Sequence, residues 1–357
     1  MADKLGVLIQ GAGWVSTQHI QAFKANPHTE ILAINSLTAD EAQARAAEFD
    51  LDAACYADYA AALRHPGIDI VAICTPQHLH AQNTIDAANA GKHILIEKPA
   101  AMTREDGRAM LAAVQQAGVR TVVSFVLRWN PLFQQIKAMI AEGAIGRVYS
   151  VEADYQSYAG DWWGGFTVGR TVDMGGSAFL VAGCHAVDAL RWFAAQGEEE
   201  AARPVEVFAY AGGLRGQSAR QYNPLTHDWH DGDPLEYPGL ELALVRFENG
   251  VLGKVSVNFE CIQPYGFPIR IFGDAGTIRD NALWAPANSG PAWQPIPGIT
   301  PDSSDVSHHP FQAEIDHFVD CIQRGIESHC NLEDALRTHE VVFAAQRCYQ
   351  TGAPVRL

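Results

Sequence analysis

The chain has 357 residues, 48% hydrophobic and 18% charged, the composition of folded globular domains, and its length exceeds what one hydrophobic core usually fills, so two domains are expected. Its formal net charge of -16, with no Lys/Arg-rich block, argues against a nucleic-acid partner while leaving room for a local basic pocket. Seven scattered cysteines without a C-x-x-C pair argue against a disulfide framework and a structural zinc site, and are read as buried thiols in a reducing compartment. The start, MADKLGVLIQGAG, enters a strand pattern at once, and no stretch offers the roughly 18 uninterrupted apolar residues of a membrane span, so a soluble cytoplasmic protein is expected.

LGVLIQ (5–10) reads as a short apolar strand, GAGWVS (11–16) as a glycine turn and TQHIQAFKA (17–25) as a helix, the opening of a βαβ unit. The turn matches G-x-G-x-x-G at Gly11 and Gly13, with Ser16 in the third place. Gly11 permits the tight turn, and Gly13 lets the backbone approach a pyrophosphate at the helix N-terminus, where Trp14 and Val15 join the candidate cofactor contacts. The second strand, EILAIN (30–35), leads into Ser36, about where an acidic residue would take the ribose hydroxyls of NAD. That acid is missing; Ser36 would tolerate a 2'-phosphate, yet Leu37 brings no positive partner for one. NAD is expected as cofactor, and NADP stays open. Alternation continues through ADEAQARAAEF (helix), DIVAICTP (strand), HAQNTIDAANAGK (helix, stopped by Gly91), HILIEKP (strand), REDGRAMLAAVQQAG (helix) and TVVSFV (strand), which predicts a doubly wound parallel Rossmann sheet over residues 1–125. Lys98 ends a parallel strand and would point into the crevice where such sheets bind ligands, with Pro99 turning the chain away. A surface lysine at a strand end is the plainer reading of the same residue.

From residue 126 onward the pattern changes. RVYSVEADYQSY (147–158), VEVFAYAGG (205–213), LELALVRFE (240–248), VLGKVSVNFEC (251–261) and FPIRIFGDAGTIRD (267–280) read as strands of a large, mostly antiparallel sheet, with Asn249-Gly250 as a hairpin turn. In GGSAFLVAGCHAVDALRWF (175–193), Gly175 and Gly176 make a break and Ser177 caps a helix running through Arg191, with His185 and Asp188 on one face. Residues 282–305 read as a loop near the sheet edge. FQAEIDHFVDCIQRG (311–325) and NLEDALRTHEVVFAAQRCYQTG (331–352, capped by Asn331) read as helices. Asp154, Tyr155, Tyr158, Asp161, Trp162 and Trp163 suit stacking on sugar faces or an oligomer contact. THDWHDGDP (226–234), which includes His230, suits a metal by composition or a polar loop over a substrate. His308 and His309 are further pocket candidates, and Arg128 and Arg170 are candidates for an anionic group.

The Rossmann start, Thr75-Pro76 with His80, Glu97-Lys98-Pro99, Arg128 in LRWNP, the G-x-H-x-x-D stretch at 183–188 and RIFGDAGTI together resemble the Gfo/Idh/MocA family of NAD(P)-dependent sugar and polyol oxidoreductases, over essentially the whole length. The resemblance implies that Lys98 and His185 are catalytic. It implies cofactor contacts from Thr75, Pro76, His80, Glu97, Lys98, Pro99 and Arg128. It sets Lys98 and His185 at the substrate, where Arg128, Tyr158, Trp162, Trp163, Arg170, Cys184 and His230 are the further candidates. It calls for no metal, and it implies a homo-oligomer, since in the family the open sheet face packs on another subunit or covers the active site. Many relatives carry an aspartate four residues before this histidine; here that position is Val181, which can accept neither a proton nor a hydrogen bond. The expected function is hydride transfer between the nicotinamide and a ring carbon of a sugar or glycoside. The alternatives are a redox-neutral NAD-dependent glycoside hydrolase working through transient ring oxidation, and a cofactor-binding regulator without activity.

Overall fold

Strand and helix alternate from the start of the computed structural model, which describes residues 4–197, 201–213, 220–290, 292–298 and 310–357. The first elements are β1 (Leu5–Gln10), α1 (Trp14–Ala25), β2 (Thr29–Asn35), α2 (Ala39–Glu48), β3 (Ala54–Tyr56), α3 (Tyr59–Leu63), β4 (Ile68–Ile73), α4 (His80–Asn89), β5 (His93–Ile96), α5 (Arg104–Ala117) and β6 (Thr121–Val123). Their strands form one sheet in the order β3-β2-β1-β4-β5-β6, parallel throughout. Helices on both faces require apolar side chains on both sides of the central strands, which is why β1, β4 and β5 carry the buried runs 7–9, 70–73 and 94–96 of Val, Ile, Leu and Ala. Side chains start the helices: Thr38, Asp58 and Thr103 each accept a backbone N–H at the head of α2, α3 and α5. The strand order reverses between β1 and β4, the switch point at which such sheets bind ligands.

The second unit begins with α6 (Pro131–Ala141), headed by Asn130, whose Oδ1 accepts from Leu132 N and Phe133 N. There follow β7 (Val148–Gln156), two short helices α7 (Phe166–Gly169) and α8 (Val172–Gly175), and α9 (Cys184–Ala194). Next come β8 (Pro204–Gly212), the hairpin β9 (Arg220–Asn223) and β10 (Asp228–Asp231), then β11 (Leu240–Phe247), β12 (Leu252–Asn258), β13 (Ile269–Gly273), β14 (Thr277–Arg279) and β15 (Ala282–Trp284). The chain closes with α10 (Pro286–Ser289), β16 (Gln294–Pro295), α11 (Phe311–Arg324), α12 (Leu332–Thr351) and β17 (Val355–Arg356). Among the described residues the second sheet runs β16-β15-β14-β13-β7-β12-β11-β8-β17. It is antiparallel except where β12 pairs with β7 in parallel. Asn249-Gly250 makes the expected hairpin, Gly250 at φ 85°. The stretch 282–305, expected to be a loop, instead supplies β15, α10 and β16 at the sheet edge. One face of the sheet is covered by α9, which lies across β7 and β12.

The two compact units are residues 1–126 with 310–336, and 127–309 with 337–357. The two-domain expectation of 1–125 and 126–357 is corrected here, because 310–336 folds with the first unit. Phe311, Ile315, Phe318 and Val319 give α11 a buried apolar stripe, and it lies against α1. Asn26 Nδ2 donates to Asp316 at 2.7 Å, Ser124 Oγ to Glu314 at 3.0 Å, and Val123 N to Cys330 O at 2.9 Å. No described helix is long and apolar enough to cross a membrane.

Candidate active site

In the first unit the candidate residues gather at the C-terminal ends of β1, β2, β4 and β5. Gly11 sits at φ 103° with its N–H on Asn35 O at 2.8 Å, and a Cβ there would fall 2.8 Å from Cys74 O. Only glycine lets the turn after β1 touch the end of β4. Gly13 is different: the nearest atom to a Cβ placed there is Cys74 O at 4.0 Å, so the protein's own packing does not demand a glycine. The missing side chain leaves clearance at the head of α1, which has no side-chain cap and no acidic residue in its first turn. Trp14 is exposed and Val15 half-buried on that turn. The N-terminus of a helix favours an anion, and with this clearance the site fits a dinucleotide. Ser16, in the third glycine place, is buried with Oγ donating to Gly13 O at 2.6 Å. Ser36 follows β2 and donates through Oγ to Glu41.

Two loops frame Lys98. The loop after β4 carries Thr75, half-buried with its hydroxyl on Asn83 Oδ1 at 3.0 Å, and Pro76, which is exposed. His80, expected at the cofactor, is instead 1% exposed, with Nε2 2.8 Å from Thr75 O and Nδ1 2.7 Å from Pro99 O. It holds the Thr75 loop to the Glu97-Lys98-Pro99 loop. Burial pushes its imidazole below the ordinary histidine value, against the pull of the two carbonyls. Glu97 is also interior: its Oε1 lies 2.8 Å from His19 Nε2 and its Oε2 accepts from Lys98 N at 3.0 Å. Burial penalises its carboxylate, but the bond and charge of His19, with Lys98 and His80, outweigh that and hold it below the usual carboxylate range. Behind it, burial and the neighbouring Glu97 charge push Glu314 well above the usual carboxylate range, against the pull of the Ser124 bond. Lys98 is half-buried at this rim, its peptide bond to Pro99 cis. The sequence reading missed His19 and Glu314; His19 shares the buried face of α1 with Ile20 and Phe23, where periodicity marks only core.

In the second unit Ser177 accepts from Leu180 N at 3.2 Å, as expected of a cap. Glu241, which the sequence reading missed, completes that helix start: its carboxylate accepts from Ala178 N at 3.1 Å, Phe179 N at 3.3 Å and the Tyr349 hydroxyl at 3.0 Å. The chain then makes a π turn over Phe179–Gly183 before α9. A Cβ on Gly183 would fall 2.8 Å from Val257 Cβ, so the glycine lets this turn press onto β12. In a π turn the hydrogen bond reaches one residue further, and Val181 does not stand one regular α-helical turn before His185. Val181 is 3% exposed and fills core beside Gly169. His185, 7% exposed, and the fully buried Cys184 open α9.

Asp188 accepts from Arg128 Nε at 2.7 Å, from Arg128 Nη2 at 2.6 Å and from Thr338 at 3.0 Å. Arg128, expected to contact cofactor or an anionic substrate, is thus 1% exposed with its charge matched, and its guanidinium lies 5.0 Å from the Trp192 ring centre. The aromatic loop packs partly on itself. Tyr158 is interior, its hydroxyl accepting from Tyr222 N at 2.9 Å. Trp162 donates to Tyr158 O at 3.0 Å, and Trp163 lies over Gly165 and Gly169. The β9–β10 hairpin is tied to this loop by His230 Nε2 on Asp161 at 2.8 Å and by Arg170 on Asp233 at 2.9 Å and Glu236 at 3.5 Å. Arg170 therefore anchors the segment that follows the hairpin, its charge already met by two carboxylates. His230 and Trp229 keep partly exposed rings. His308 and His309 lie outside the described residues.

Comparison with known proteins agrees with this architecture. Residues 5–125 match the model of an oxidoreductase family with an NAD-binding Rossmann fold, and residues 133–279 match the GFO/IDH/MocA C-terminal domain. The chain is 27% identical over 303 residues to the scyllo-inositol 2-dehydrogenase (NAD(+)) of Bacillus subtilis strain 168, covering 83% of this chain and 79% of that protein. It is 30% identical over 264 residues to the levoglucosan dehydrogenase of Pseudarthrobacter phenanthrenivorans, covering 71% and 67%. The crystal structure of the WlbA dehydrogenase from Bordetella pertussis, in complex with NADH and UDP-GlcNAcA, superposes with a TM-score of 0.78 at 23% identity over 99% of each chain. With the glycine turn, the switch point and the Glu97-Lys98-Pro99 loop in place, the chain belongs to the Gfo/Idh/MocA family of oxidoreductases and carries that family's NAD-binding Rossmann domain.

Proposed function

We propose that this chain is a cytoplasmic NAD-dependent dehydrogenase of a sugar or glycoside that works as a homo-oligomer. The observation that carries the reading is Lys98, two residues past β5 on the same end of the sheet as the glycine turn, in a rim held by His80 and Glu97. Relatives named scyllo-inositol 2-dehydrogenase and levoglucosan dehydrogenase support a sugar or polyol substrate, and favour net oxidation over the hydrolase and regulator alternatives. When bound, NAD supplies the hydride chemistry. The N–H groups at the head of α1 hold the pyrophosphate, Gly13 leaves room for it, and Thr75, Pro76 and Pro99 border the nicotinamide end. Lys98 Nζ, as the neutral amine, takes up the proton of the substrate hydroxyl and, as the ammonium, returns one in the reverse direction. His185 is the second proton-handling group, since an imidazole can both give and take a proton and Val181 takes no part.

The test is incubation with a panel of free, acidic and glycosidic sugars, followed by NADH absorbance and product mass together. Steady NADH formation from at least one free sugar, without aglycone release from nitrophenyl glycosides, is the expected result; aglycone release without net NADH would overturn it. With a substrate in hand, Lys98→Met and His185→Ala each lower turnover by about a hundredfold or more while NAD binding survives. Near-normal turnover in both variants would remove the two residues from the mechanism.

A further inference from the structure

The acid that the end of β2 lacks is supplied from helix α2. Ser36 is fixed by its N–H on Tyr56 O at 3.1 Å, and its hydroxyl donates to Glu41 Oε2 at 2.8 Å. Glu41 lies in the first turn of α2, where its own N–H is accepted by the Thr38 cap at 3.2 Å. Two bonds hold the end of β2 and helix α2 to the glycine turn. Gly11 N donates to Asn35 O at 2.8 Å, and Arg45, further along α2, donates to Ala12 O through Nη2 at 2.8 Å. Arg45 also pairs with Glu48, so its charge is already matched. Leu37, 85% exposed, adds no charge. An exposed carboxylate at the end of β2, beside the glycine turn, stands where the adenosine ribose is read in a dinucleotide fold. It accepts hydrogen bonds from a 2',3'-diol and repels a 2'-phosphate.

We propose that Glu41, oriented by Ser36, selects NAD over NADP in this chain. The proposal rests on the family reading that the first unit binds a nicotinamide dinucleotide, and its test needs no sugar. The full-length protein is titrated with NAD+ and with NADP+, following tryptophan fluorescence or heat. Wild type binds NAD+ about a hundredfold more tightly than NADP+, from one lost diol contact and one repulsive pair. Glu41→Gln narrows that ratio at least about tenfold, mainly by tightening NADP+, and Ser36→Ala moves it the same way by less. Glu41 is exposed, so both variants melt near wild type, and Glu41→Ala provides a second removal of the charge. A wild-type preference for NADP+, or a ratio that stays within about threefold of wild type in all three variants, overturns the proposal alone. A wild-type chain that binds neither dinucleotide overturns it together with the cofactor reading.

Discussion

Arg128 and Asp188 share two short charged hydrogen bonds where both side chains are almost fully buried, with Thr338 as third partner. Removing one member of such a pair leaves the other desolvated and unmatched, which costs about 3–5 kcal/mol. Arg128→Met is therefore expected to lower the thermal midpoint sharply, while NAD+ affinity measured where the variant is still folded stays within about threefold. A small thermal change with a tenfold or greater loss of NAD+ affinity would restore Arg128 to the cofactor site. The same logic separates His80 from Lys98. Both stand out in the sequence, yet His80 has both ring nitrogens on main-chain carbonyls and positions the loop, while Lys98 sits on its rim. Residue type and spacing marked both as functional; the distinction needed the partners, which are remote in sequence.

β11 and the helical segment beginning at Ala178 meet through Glu241. In LELALVRFE, read from the sequence only as a strand, Glu241, Ala243, Val245 and Phe247 point inward while Leu242 and Leu244 are exposed. The inward carboxylate is held by the helix start that leads to His185. Burial pushes Glu241 up to about 7, with Tyr349, Phe179 N, Ala178 N and Ser177 pulling the other way. The folded chain thus holds this proton more tightly than the unfolded chain, so its contribution is full below the ordinary carboxylate value and declines as pH rises toward 7. That loss is on the order of 3 kcal/mol. Urea unfolding at pH 5 and pH 8 should show this decline in wild type and a flatter dependence in Glu241→Gln; equal slopes would refute the assignment. The π turn at Phe179–Gly183 escaped the sequence reading, since a widened turn depends on how closely Gly183 approaches β12.

For the molecule as a whole, the exposed face of the second sheet matters most. Tyr149, Tyr210, Leu242, Leu244 and Leu252 are all more than 40% exposed on neighbouring strands β7, β8, β11 and β12, an apolar surface that supports the proposed homo-oligomer. Leu244→Arg is expected to move the protein to monomer in sedimentation velocity with an unchanged circular dichroism spectrum; an unchanged sedimentation coefficient would place any oligomer contact elsewhere. The sequence by itself determined the Rossmann alternation, the glycine turn, the Lys98 loop, the second sheet and the family, because strand and helix periods, turn residues and short spacings are local properties. Tertiary structure decided that 310–336 returns to the first unit, that Arg128 and Arg170 have their charges met, and that Val181 lies in a widened turn. It also placed Glu41 where β2 lacks an acid. These depend on which side chains meet across long stretches of chain, and no local period records such meetings.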